Sequence, residues 1–108
     1  MIAMDFPKLK IDKNRSIFSS DIIFLKANIN YTEIHLQNGK KFILAKTLKR
    51  FQEDYEPFGF VRINRSVIVN IEFVTKTGNQ FENLKLKNKT QFNVSRRRRE
   101  NLKKMIVQ

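Results

Sequence analysis

The sequence predicts a mainly β fold of antiparallel sheets carrying two short helices, at about 47–55 and 96–107. Three observations lead there. Polar and apolar residues alternate over YTEIHL, KFIL and LKLK, the two-residue period of strands with one buried face. Asn38-Gly39 and Asn88-Lys89 interrupt that alternation, as tight reversals between paired strands do. Helical spacing of apolar residues occurs instead over LKRFQEDY and over the arginine-rich C-terminal stretch.

Taken in order, residues 9–18 form two short β segments around a turn at Asp12-Lys13-Asn14-Arg15. DIIFLKA, residues 21–27, is a nearly continuous apolar run, the pattern of a strand at a sheet centre. Asn28-Ile29-Asn30 breaks it. YTEIHLQNGKKFIL then makes a hairpin about Asn38-Gly39. Thr47 is placed to cap a helix whose Leu48, Phe51 and Tyr55 fall at i, i+3 and i+7, and Pro57 and Gly59 end it.

FGFVRINRSVIVN, residues 58–70, contains a conflict. Val61, Ile63, Val67, Val69 and Ile71 share one face of a continuous strand, and so would Arg65. A guanidinium buried there without a partner would cost several kcal/mol, on the order of the desolvation penalty of one ion. A break at Asn64-Arg65-Ser66 removes the conflict, because Asn and Ser bond to nearby backbone in turns and the apolar register resumes at Val67. The turn tip then presents Asn64 and Arg65 outward. IEFVTKT reads as a strand closing at Gly78-Asn79, and LKLKNKTQFNV as a hairpin with Leu84, Leu86, Phe92 and Val94 inward. Ser95 is expected to cap the terminal helix, with Leu102, Met105 and Ile106 as its core stripe. The whole is one domain over residues 9–106, with residues 1–8 as an N-terminal extension.

Composition narrows the function. A 41% hydrophobic fraction with ten Phe supports a packed core, and most of those Phe belong in it. No run of eighteen apolar residues exists, so no membrane span is expected, and Asp5, Pro7 and the lysines after them interrupt any signal-like stretch. The absence of cysteine excludes disulfides and thiolate metal sites and fits a reducing compartment, with the cytoplasm as the expected location. The formal charge is +12. Residues 84–108 hold nine basic residues against Glu100 alone, a balance of +8, whereas residues 17–60 are nearly neutral. A region so basic points to a polyanion, since neutralised phosphates release condensed counterions.

SRRRRENLKK concentrates that charge where a helix begins. Helix N-termini carry partial positive charge, so arginines there conflict with the local field unless an anion lies opposite; phosphate satisfies both arginines and free N–H groups. Asn28, Asn30, Asn64, Arg65, Arg96 and Arg97 all fall on predicted loops or turn tips, and Asn and Arg are the side chains that pair bidentately with adenine and guanine in the major groove. Enzymatic readings find little. The single histidine, His35, stands beside Glu33 in a hairpin strand, the acidic residues are scattered apart from Glu53-Asp54, Ser66 and Ser95 lack a nearby base, and no glycine-rich phosphate loop exists. No cofactor is implied.

Together, DIIFLKAN, NGKKFILAKTLKRF, FVRINRSVIVNIEFV and NVSRRRRENLKKM resemble the LytTR family of bacterial DNA-binding domains, usually found at the C-terminus of response regulators. The third stretch, aromatic-x-Arg-x-x-Arg-Ser followed by Val-Asn, is the most specific, and the resemblance covers about Leu9 to Ile106. It implies an elongated arrangement of antiparallel sheets that reads double-stranded DNA through loops entering successive major grooves, as a transcription regulator. Carried onto this chain, it places Asn28 and Asn30 on a first reading loop, Asn64, Arg65 and Ser66 on a second, and Arg96 and Arg97 on a third. Lys26, Arg62, Ser66, Ser95 and Arg99 become phosphate contacts, and direct-repeat sites imply a second copy on the DNA. Asn64 stands where His is common in the family. The competing readings are an RNA or single-strand binder using exposed Phe or Tyr31, and a module for an acidic protein. Without a receiver module in the sequence, a stand-alone regulator and a fragment of a longer one are both expectations.

Overall fold

The computed structural model describes residues 7–106. Within these residues ten strands form three antiparallel sheets. Strands β1 (Lys8–Lys10) and β2 (Ser16–Phe18) make a small hairpin. A five-stranded sheet runs β5-β4-β3-β7-β6, from β3 (Ile22–Asn28), β4 (Tyr31–Leu36), β5 (Lys41–Leu44), β6 (Phe60–Asn64) and β7 (Val67–Asn70). A three-stranded sheet, β10-β9-β8, is built from β8 (Val74–Thr77), β9 (Asn83–Leu86) and β10 (Gln91–Asn93). Helix α1 (Leu48–Tyr55) follows β5 and α2 (Arg99–Ile106) ends the described chain. The principal extents are 44 × 40 × 24 Å.

Two cores lie on opposite faces of the five-stranded sheet. On one face Leu48, Phe51 and Tyr55 of α1 and Leu9 and Ile11 pack against Ile22, Leu25, Ile34, Leu36, Phe60 and Ile68. On the other, Leu84, Leu86, Val94 and Leu102 cover Ile23, Phe24, Val61, Ile63, Val67 and Val69. The apolar run of β3 follows from this double covering. A bulge between Ile22 and Phe24 lets the adjacent Ile23 and Phe24 both enter the second core. Val61, Ile63, Val67 and Val69 share that face, and the chain turns at Arg65-Ser66 between β6 and β7, as the arginine conflict required.

Three turns share one chemistry. In the loops after Leu36 and Leu86, Asn38 and Asn88 accept the backbone N–H two residues on at 2.9 and 3.1 Å, and the next residue has φ 88° at Gly39 and 70° at Lys89. Asp12 acts similarly, accepting from Asn14 N and Arg15 N and pairing with the Arg15 guanidinium at 2.7 Å. Thr47 caps α1 by accepting from Arg50 N at 3.3 Å, and Gly59 at φ 87° closes the 3₁₀ turn behind it.

Several expectations need correction. Ile71–Phe73 is a 3₁₀ turn, and the strand starts only at Val74. The cause is Asn70, 2% exposed, which accepts from Glu72 N at 3.1 Å and donates to Ser19 O and Ile22 O at 3.1 and 2.8 Å. Ser95 makes no side-chain cap. Residues Arg96–Arg98 form a 3₁₀ turn, and the α-helix is deferred to Arg99, with Glu100 in its first turn. An acidic residue there suits the helix field as the arginines would not. Leu102 is fully buried and Met105 packs on the second core, but Ile106 is 36% exposed. Lys8, expected in the extension, pairs with Phe18; residues 1–6 of that extension and the end of the terminal helix at 107 lie outside the described residues.

Candidate nucleic-acid interface

The predicted reading loops converge on one end of the five-stranded sheet. Asn28 ends β3, and Lys26 pairs with Val67, the first residue of β7, so the turn before Val67 lies beside the turn after Asn28. A backbone bond from Ala27 N to Ser66 O, 2.8 Å, joins them. The third segment flanks the second: Ser95 N donates to Ile63 O at 2.8 Å and the Asn64 amide donates to Asn93 O at 2.7 Å.

At that junction Arg62, Arg65, Ser95, Arg97 and Arg98 line an open cleft of ≈ 430 Å³. Among the described residues none of these arginines has a carboxylate within 4.0 Å; the ion pairs lie elsewhere. Burial, and then the guanidinium groups of Arg98 and Arg97, pull the Arg62 pKa below its ordinary value. Positive groups gathered without counter-charges are a site prepared for an anion.

The side chains differ in how much of them is available. Arg65, Arg96 and Arg97 are exposed, as are Lys26, Asn30 and Ser66. Arg96 is not part of the cleft lining, whereas Arg98, which the sequence did not single out, is. Arg62 is turned inward on the loop it supports. It donates to Asn64 O at 3.2 Å, Arg65 O at 2.7 Å and Gln52 Oε1 at 3.2 Å, leaving two of its five N–H groups. Asn64 is committed at both ends, donating to Asn93 O and accepting from Ser66 N at 2.8 Å. Arg99 donates through Nε to Val94 O at 3.2 Å.

Glu33 organises the first loop. Asn28 Nδ2 donates to its Oε2 at 3.1 Å, His35 Nε2 lies 2.9 Å from its Oε1, and Lys41 Nζ is 3.7 Å away. The hydrogen bonds to His35 and Asn28 hold its carboxyl below the usual range. The His35 ring in turn stacks on Phe24, with centroids 4.2 Å apart. Glu33 and Gln52 escaped the sequence reading because neither is adjacent to a loop; only the Glu33–His35 spacing on one strand face hinted at a cluster.

A family model described as the LytTr DNA-binding domain matches residues 12–107. The chain belongs to the LytTR family. LytTR domains are DNA-binding domains of transcription regulators, and this chain is one of them. Among solved structures it is similar to the "LytTr DNA-binding domain of putative methyl-accepting/DNA response regulator from Bacillus cereus", at 19% identity and a TM-score of 0.74, over 96% of this chain and 98% of that one. That likeness shows the shared fold, mostly β with three antiparallel sheets and two short helices. No curated protein matches the chain. Among the described residues of this LytTR domain, no helix is long and apolar enough to cross a membrane.

Proposed function

We propose that this LytTR domain reads double-stranded DNA sequence-specifically through its clustered loops in the major groove, as part of a bacterial transcription regulator. The observation that carries the reading is the convergence of Arg65, Arg97 and Arg98 on one cleft, without carboxylate partners among the described residues, at the end of the sheet where the Asn28–Asn30 turn also lies. Asn28, Asn30, Arg65, Arg96 and Arg97 face base edges, where amide and guanidinium groups distinguish adenine and guanine. Asn64 shapes the second loop, its amide being taken up by Asn93 and Ser66. Lys26, Ser66 and Ser95, and the remaining N–H groups of Arg62 and Arg99, serve phosphates. Two copies on a direct repeat would extend the contact along one side of the duplex.

A single-strand reading would require a row of stacking rings. Among the exposed rings described, Tyr31 flanks the first loop as the partner of Asn28, but Phe18 and Phe58 belong to β2 and the turn after α1, so a single ring and no row stands beside the cleft. The test is selection from a random duplex library, followed by competition with the separated strands of the recovered site. Arg65→Ala should cost about 1–3 kcal/mol on that site and relax preference at one position. Equal loss on random DNA would contradict base reading by Arg65.

A further inference from the structure

Ile29 is the most exposed large apolar residue described, at 93%, and its backbone has φ 51°. Both features are unfavourable. A side chain branched at Cβ is among the least suited to the left-handed region, and glycine would sit there with less strain. The chain does use glycine elsewhere, at φ 88° and 87° for Gly39 and Gly59. Among the described residues four that are not glycine have positive φ, Ile29 included, and of the other three Phe81 packs on the second core while Gln80 and Lys89 are polar. Ile29 belongs to neither core. Asn28 pairs with Tyr31, so Ile29 and Asn30 are the whole tip of the hairpin that points from the same sheet end as the arginine cleft.

We infer that Ile29 is a specificity-determining contact to the 5-methyl group of thymine; this rests on the duplex-reading proposal above. Major-groove edges present donors, acceptors and, on thymine alone, a methyl group, so that methyl is the one apolar mark a hydrophobic tip residue can distinguish. Asn28 and Asn30 on either side supply amides suited to adenine. The tip therefore carries the chemistry of both members of an A·T pair. Glu33, by holding the Asn28 amide at 3.1 Å, fixes the strand end from which Ile29 projects.

Deoxyuridine supplies the test, because it pairs as thymine does and lacks only the methyl group. On the site recovered from the random library, each thymine is replaced in turn, and affinities of the wild type, Ile29→Val and Ile29→Gly are measured at one salt concentration. At one position the wild type should bind about four-fold more weakly, the worth of one buried methyl group. Ile29→Val should keep this response. Ile29→Gly, which relieves the backbone strain and so retains the fold, should bind thymine and deoxyuridine duplexes alike. Indifference of the wild type at every position overturns the inference, as does an undiminished response in Ile29→Gly, and in either case duplex binding itself survives. A library yielding no preferred sequence would overturn the duplex-reading proposal and this inference with it.

Discussion

Replacing Asn64 by alanine separates reading DNA from building the loop that reads it. The amide donates to Asn93 O at 2.7 Å and accepts from Ser66 N at 2.8 Å, one bond reaching across to β10 and the other closing the turn. A net contribution of about 0.5–1.5 kcal/mol per hydrogen bond applies, and the half-buried position favours the lower half of that range. Asn64→Ala should therefore destabilise the domain by about 1–2 kcal/mol. In urea unfolding this lowers the midpoint by roughly 0.5–1.5 M with an unchanged slope. Arg65→Ala, exposed and one residue away, is the control and should stay within about 0.5 kcal/mol of wild type. In binding assays the two should differ the other way: Asn64→Ala weakens all duplexes through a loosened loop, and Arg65→Ala weakens chiefly the preferred one. If Asn64→Ala leaves the midpoint in place and loses affinity for the preferred site alone, the amide reads bases and its hydrogen bonds do not set the loop.

Lys26→Ala should weaken binding to all duplexes similarly and reduce the salt slope by about 0.9, the share of one phosphate contact, as titrations at several salt concentrations would register. Lys89→Gly should stabilise the domain by about 1 kcal/mol, because φ 70° strains a side-chain-bearing residue; calorimetry should find a melting temperature about 4–8 °C higher. Glu33 has its folded pKa below the ordinary 4.5. Its contribution to stability is complete above that unfolded value and disappears as pH falls through the lower folded one. Glu33→Gln should accordingly flatten the acid side of the stability profile, and a mutant profile as steep as wild type would contradict the Asn28–Glu33–His35 cluster.

Local chemistry was legible in the sequence. The turns at Asp12, Asn38, Asn64 and Asn88 each follow from a short side chain bonding backbone two residues on, and Val61, Ile63, Val67 and Val69 share a face because a strand has period two. What remained hidden depends on partners remote in the chain. Asn64 meets a carbonyl 29 residues away, and Asn70 one 51 residues away, so their structural duties have no local signature. The delayed start of α2 is partly foreseeable, since arginines conflict with a helix N-terminus, but that the chain relieves the conflict by a 3₁₀ turn depends on the fold around it. Ile29 read as a break in a strand; its conformation and exposure are properties of the folded hairpin.

The joint between the second and third loops has a mechanical consequence. Two short bonds, from Ser95 N to Ile63 O and from Asn64 to Asn93 O, weld the arginine turn to the edge of β6, so the gap between those contacts is set by strand geometry. A stiff gauge of this kind cannot stretch to suit a duplex. On the proposed function, the adjustment falls to the DNA: flexible pyrimidine–purine steps between contacted bases should favour complex formation, and rigid A-tracts there should oppose it, at positions no side chain touches.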